Sequence, residues 1–98
     1  MGNQLIPEVE CPEPVEGLMF LYILLCKDGS FYVGQSRNVA ERLSLHEQGM
    51  GAKHTRDNGV SHLIFWEGPM DMSEATKREN QLKGWSRTKK LKLILDEL

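Results

Sequence analysis

The chain has 98 residues, 40% apolar and 27% charged, with a formal net charge of −2, which allows one modest core and too little material for two domains. No apolar run approaches the roughly 18 residues of a membrane-spanning helix, and the head MGNQLIPEVECPEPVEG lacks the basic start and apolar stretch of a secretory signal. Two cysteines, Cys11 and Cys26, make no disulfide framework, so a cytoplasmic protein with reduced thiols is the expectation.

In chain order, residues 1–17 carry Glu8, Glu10, Glu13 and Glu16 among Pro7, Pro12 and Pro14, with no Lys or Arg. Without apolar periodicity to dock it, this head is expected to be a mobile extension whose removal leaves stability unchanged, and residues 18–98 form the folded domain. Met19 to Cys26 and Phe31 to Gln35 are predicted strands, joined at Asp28-Gly29, a hairpin signal because glycine accepts φ > 0. Asn38 is predicted to cap a helix running through Gln48, with Val39, Leu43 and Ala40 facing inward. The glycine-rich segment from Gly49 to Gly59 is expected to be a loop, and Val60 to Glu67 a third strand ended by GPMD. Ser73 is expected to cap a helix to about Lys83, closed by Gly84. Ser86 is expected to cap the last helix, with Leu91, Ile94, Leu95 and Leu98 as its apolar stripe. The order ββαβαα predicts an α/β (α+β) fold: a small, three-stranded, mostly antiparallel sheet flanked by helices.

Loop length decides where the two tyrosines, Tyr22 and Tyr32, point. A two-residue turn sets Tyr22 opposite Gln35 and puts the phenols on opposite faces, because side chains alternate along a strand. A three-residue loop, Lys27-Asp28-Gly29 with Gly29 left-handed, pairs Cys26 with Ser30, Tyr22 with Gly34 and Leu24 with Tyr32. The second register is expected, with both hydroxyls converging toward Arg42 and Gly34 allowing close backbone approach.

The net charge hides a segregation. Outside the head, twelve basic residues face ten acidic ones, and between Lys77 and Lys92 seven cations face Glu79 alone. That excess suits a phosphate-rich partner, although a solvated Lys-rich helix surface gives the same pattern.

Tyr22 in Leu-Tyr-Ile, Tyr32-Val33-Gly34, Arg42 and His46 one helical turn apart, and Glu79 on a later helix form an ordered constellation. It resembles the GIY-YIG endonuclease superfamily from about Phe20 to Lys90. The segments GAKHTR and QLKGWSR are most similar to its small, single-domain bacterial branch. The first triad departs from Gly-Ile-Tyr but keeps its tyrosine. The resemblance implies a metal-dependent endonuclease acting on DNA, with Tyr22 as general base and Tyr32 as a phosphate-binding or supporting hydroxyl.

The residue chemistry agrees with those roles. Glu79 is the candidate ligand for Mg²⁺ or Mn²⁺, an ion that keeps several waters and takes further contacts from phosphate. Arg42 offers a forked donor to phosphate oxygens. His46 is placed to accept a proton or to orient a tyrosine hydroxyl. A free phenol ionises near pH 10, so either a neighbouring charge such as Arg42 lowers Tyr22, or its proton passes to His46. His54 is a further candidate in the loop, where a solvated histidine reads identically. Arg37, Lys53, Lys83, Arg87, Lys89 and Lys90 are candidate nucleic-acid contacts.

The expected function is hydrolysis of DNA phosphodiesters, with single-stranded or branched DNA among the candidate substrates and specificity supplied by a homodimer or a protein partner. The alternatives are a nucleic-acid-binding module with little catalysis and a protein-interaction domain using Trp66 and Trp85.

Overall fold

The computed structural model describes residues 6–96. Strands β1 (Met19–Cys26), β2 (Phe31–Ser36) and β3 (Val60–Met70) form one antiparallel sheet in the order β2-β1-β3. Helices α1 (Val39–Glu47) and α2 (Lys53–Asn58) follow β2, and α3 (Met72–Lys83) and α4 (Arg87–Asp96) follow β3.

The central strand β1 is buried at all eight positions. A strand covered on both faces needs apolar side chains throughout, as MFLYILLC supplies. Leu21, Ile23 and Leu25 join Val33, Ile64, Phe65, Leu82 and Ile94 on one face. Phe20, Tyr22 and Leu24 join Val39, Val60 and Leu63 on the other. Ile23 pairs with Phe65 and Leu24 with Leu63, so a bulge at Ile64 lets two adjacent β3 residues serve one face. No helix is long and apolar enough to cross a membrane among the described residues, and both cysteines are free thiols.

The hairpin takes the three-residue loop. Cys26 N–H donates to Ser30 O at 2.8 Å and Gly29 sits at φ 88°. Asp28 Oδ1 accepts from Ser30 N–H at 3.0 Å and from its hydroxyl at 2.6 Å, closing the turn. Tyr22 therefore stands opposite Gly34 and Leu24 opposite Tyr32. Asn38 caps α1 by accepting from Glu41 N–H at 3.1 Å, and Ser86 accepts from Lys89 N–H at 3.2 Å at the start of α4.

Several boundaries differ from expectation. Strand β3 continues through the GPM segment to Met70, so Asp71 rather than Ser73 caps α3, accepting from Glu74 N–H at 2.8 Å. The Gly49–Gly59 loop contains the short helix α2, whose cap, Ala52, makes no side-chain hydrogen bond and left no capping signal in the sequence. Ala40 is exposed, as is Leu95, while Leu93 packs inward beside Leu91 and buried Ile94. Leu98 lies outside the described residues, as do residues 1–5 of the head.

The rest of the head is docked rather than free. Ile6 is buried in the core on the Leu21 face, and Val9 and Cys11 pack on the Tyr22 face, so the segment straps across the outer edge of β3. Val9 N–H donates to Leu63 O at 3.0 Å, His62 Nε2–H to Ile6 O at 2.9 Å and Trp66 Nε1–H to Glu10 O at 2.8 Å. An open strand edge is a template for unwanted pairing, and the strap blunts it. Deleting residues 1–17 should therefore destabilise the domain. Burying an isoleucine such as Ile6 contributes about 1.5–3 kcal/mol, and a small domain loses roughly 4–8 °C per kcal/mol. Thermal melts of the truncated chain are expected to show a fall of roughly 10 °C or more; an unchanged melting temperature would mean the strap contributes nothing.

Candidate active site

β2 has a strand neighbour on one side only, and the candidate side chains gather along it. Tyr22 reaches it from β1, where its partner across the ladder is Gly34. A Cβ on residue 34 would lie 2.6 Å from Tyr22 Oη, closer than such contacts allow, so glycine here makes room for the phenol. Tyr22 is 2% exposed, and its hydroxyl lies in hydrogen-bonding contact with His46 Nε2 at 3.0 Å. The Tyr32 ring lies 6.4 Å from that of Tyr22, 5.2 Å from His46 and 5.9 Å from His54. Both tyrosines and His46 thus share one face, as the three-residue loop requires. Their meeting point is His46 rather than Arg42, one turn earlier on α1. Arg42 is exposed and forms no ion pair among the described residues.

His46 is held from both sides. Its Nδ1 lies 2.7 Å from Thr55 Oγ1 on α2, and the Thr55 hydroxyl is 2.9 Å from Ala52 O. A Cβ on Gly51 would collide with His46 Nδ1, so the loop closes directly on the ring. Thr55 went unnoticed in the sequence because a lone threonine in a glycine-rich segment carries no periodicity to mark it as buried. His54, its neighbour, turns outward, with Nε2 2.8 Å from Ser30 Oγ, and ties α2 to the hairpin instead of joining the Tyr22–His46 pair.

The electrostatics run against a free tyrosinate. Burial raises the Tyr22 hydroxyl well above the ordinary phenol value, with Tyr32 and Glu79 adding to the rise; Arg42 opposes but does not overcome it. Arg42 alone therefore does not bring Tyr22 below the ordinary phenol value. Burial lowers His46, and Arg42 lowers it further, so the imidazole stays neutral near pH 7 with a lone pair available. The folded protein then takes up its proton at lower pH than the unfolded chain, whose histidine titrates near 6.5. Stability is expected to fall as pH drops below that value. Melting curves at pH 7.5 and 5.5 check this: His46→Gln should show a smaller acid loss than the wild type.

Glu79, on α3, approaches β2 from the opposite face. Gln35, paired with Leu21, donates through Nε2 to Glu79 Oε1 at 2.7 Å, and Lys83 Nζ lies 2.7 Å from Oε2. Gln35 Oε1 is buried without a hydrogen-bond partner. Gln35 was the second residue missed, since a neutral amide beside Gly34 stands out neither by charge nor by pattern. Among the described residues, no three His, Cys, Asp or Glu side chains gather as a metal cluster.

The expected nucleic-acid contacts are dispersed. Arg87 donates to Gly29 O at 2.6 Å and lies 4.1 Å above the Phe31 ring, at the hairpin end of β2. Lys83 sits on Glu79, Lys53 on Asp57, and Lys89 over Trp85 at 4.4 Å. Arg37 is exposed just beyond β2, and Lys90 is half-buried on α4. Trp66 is covered by the head and stacked edge-on against Phe20, and Trp85 lies beneath Arg78 and Lys89.

An edge strand bearing Tyr32 and Gly34, a tyrosine–histidine pair beside it and a glutamate on a following helix are joined by an independent match. Residues 18–92 correspond to the GIY-YIG catalytic domain, and the chain belongs to that family; its fold is of the nuclease type. Among proteins of the family, it is 44% identical over 75 residues to UPF0213 proteins of Staphylococcus aureus strains Mu3 and N315, a match covering 76% of this chain and 92% of theirs. A solution NMR structure of a UPF0213 protein from Bacillus halodurans is 39% identical, with a TM-score of 0.52, covering 79% of this chain and 82% of that one.

Proposed function

We propose that this protein is a metal-dependent endonuclease that hydrolyses DNA phosphodiester bonds, with Tyr22 as general base and His46 as the acceptor of its proton. The observation that carries the reading is the 3.0 Å hydrogen bond between a buried Tyr22 hydroxyl and a neutral His46. As water attacks phosphorus, its proton passes to the Tyr22 oxygen while the Tyr22 proton passes to His46 Nε2. No tyrosinate need accumulate, which suits a phenol whose ionisation is suppressed. Exposed Arg42 is free to fork onto phosphate oxygens as negative charge develops. Tyr32, whose ring lies 5.2 Å from that of His46, supports the phosphate through its hydroxyl.

The residues fit a divalent ion of the Mg²⁺ or Mn²⁺ type. Glu79 supplies a hard carboxylate, and Gln35 holds it while presenting a buried amide oxygen with no partner. One carboxylate suffices for Mg²⁺, whose other positions are taken by water and substrate phosphate. Such an ion supplies charge neutralisation at the phosphate and leaving oxygen. Lys83, now paired with Glu79, is the side chain that the ion would release toward the nucleic-acid backbone.

Incubation with supercoiled plasmid, with Mg²⁺ or with chelator, tests the reading. Metal-dependent conversion to nicked circles is expected, and a panel of single-stranded, nicked and branched DNAs ranks the substrates. Tight binding with no conversion under any metal would leave a binding module instead.

A further inference from the structure

Buried histidines are useful bases only if the correct nitrogen is bare, and the surroundings of His46 favour one tautomer. His46 is 3% exposed and Thr55 1%, so water does not set the tautomer. Thr55 Oγ1 has two neighbours, His46 Nδ1 at 2.7 Å and Ala52 O at 2.9 Å. The Thr55 hydroxyl donates to Ala52 O, which leaves its oxygen as an acceptor toward the ring. His46 must then carry its proton on Nδ1, and its lone pair lies on Nε2, facing the Tyr22 hydroxyl at 3.0 Å.

We infer that Thr55 is the positioning residue that fixes His46 in the Nδ1–H tautomer and so creates the proton acceptor for Tyr22. The chain of donors runs from Tyr22 O–H to His46 Nε2, and from His46 Nδ1–H to Thr55 Oγ1–H and on to Ala52 O. It stays satisfied after the proton moves. The imidazolium donates through both nitrogens, to the Tyr22 oxygen and to Thr55, and Thr55 itself gives up nothing. Were the Thr55 hydroxyl turned toward Nδ1, Ala52 O would keep only the backbone N–H of Arg56, at 3.0 Å. The ring would then offer Tyr22 an N–H in place of a lone pair. The helix α2 thereby acquires a purpose that its six residues and missing side-chain cap do not otherwise explain: it delivers one hydroxyl to one ring nitrogen.

The inference rests on the proposed Tyr22–His46 proton transfer, and its test separates the two. Long-range ¹H–¹⁵N spectra read which ring nitrogen of His46 is protonated, independently of any cleavage. The wild type is expected to show Nδ1–H. Thr55→Ser keeps the hydroxyl and should retain that tautomer and a nicking rate within about threefold. Thr55→Val removes it at nearly constant shape. It should populate the Nε2–H form and lower Mg²⁺-dependent plasmid nicking at least about tenfold, since a wrong tautomer disables a catalytic histidine even when geometry is kept. An Nε2–H ring in the wild type overturns the inference without recourse to any variant, should Thr55→Val fail to fold. Wild-type tautomer and rate in Thr55→Val overturn it equally. If the wild type shows a Thr55-controlled Nδ1–H ring but never nicks DNA, Thr55 keeps its positioning role and the nuclease reading falls.

Discussion

Replacing Glu79 by glutamine is expected to abolish metal-dependent nicking while leaving the fold in place. The substitution keeps the length of the side chain and an oxygen for Gln35 Nε2, which now donates to Glu79 Oε1 at 2.7 Å. It removes the charge that holds Lys83 and that would hold the ion. An ion pair with a half-exposed lysine contributes up to about 1 kcal/mol, so melting should shift by about 8 °C at most. Catalysis should suffer far more. Charge-stabilising groups aimed at a developing oxyanion each contribute about 2.7–4 kcal/mol, or 10²–10³ in rate, and losing the ion removes several such contacts together. Plasmid nicking over a range of Mg²⁺ and Mn²⁺ concentrations, beside thermal melts of the same preparation, makes the measurement. Wild-type nicking by Glu79→Gln would remove Glu79 from the mechanism.

The second large effect is expected from a methyl group. In Gly34→Ala the new Cβ would sit 2.6 Å from Tyr22 Oη and 2.7 Å from Cζ, so ring and strand must separate. The Tyr22 hydroxyl is the atom that contacts His46 Nε2, and a displacement of about 1 Å in a reacting group can cost on the order of 10²-fold in rate. The backbone does not suffer in proportion. Gly34 is not among the glycines with positive φ, and alanine is less costly than glycine within a strand by roughly 0.5–1 kcal/mol. Single-turnover nicking should fall about a hundredfold with the circular dichroism spectrum unchanged. A near-wild-type rate would show that the Tyr22 hydroxyl position is not critical.

What could be read in advance depended on the kind of signal. The hairpin register was legible because Asp28-Gly29 admits two loop lengths, and one of them puts Tyr22 and Tyr32 on a common face. Arg42 and His46 stood out as charged or titratable types four residues apart, and Glu79 as a lone carboxylate among cations on a later helix. Thr55 and Gln35 were not, being neutral side chains whose importance lies in what they touch: a ring nitrogen in one case, a carboxylate oxygen in the other. The helix α2 was missed because a six-residue segment capped by Ala52 offers neither period nor cap. The head was misread because Ile6 and Val9 are isolated among prolines and glutamates. Its docking is decided by the exposed edge of β3, whose residues lie far along the chain.

That distance matters for the order of folding. Val9 meets Leu63, Ile6 meets His62 and Glu10 meets Trp66, and no such pair can form until β3 has been synthesised. The β1–β2 hairpin, whose ends are joined by a three-residue loop, has only local contacts to make and closes early. A segment made well before β3 is thus among the last to settle. Until it does, β3 offers an unpaired edge to any neighbouring chain, and the undocked head carries four glutamates nearby. Their mutual repulsion across molecules gives a nascent or thermally opened chain a measure of protection against edge-to-edge association.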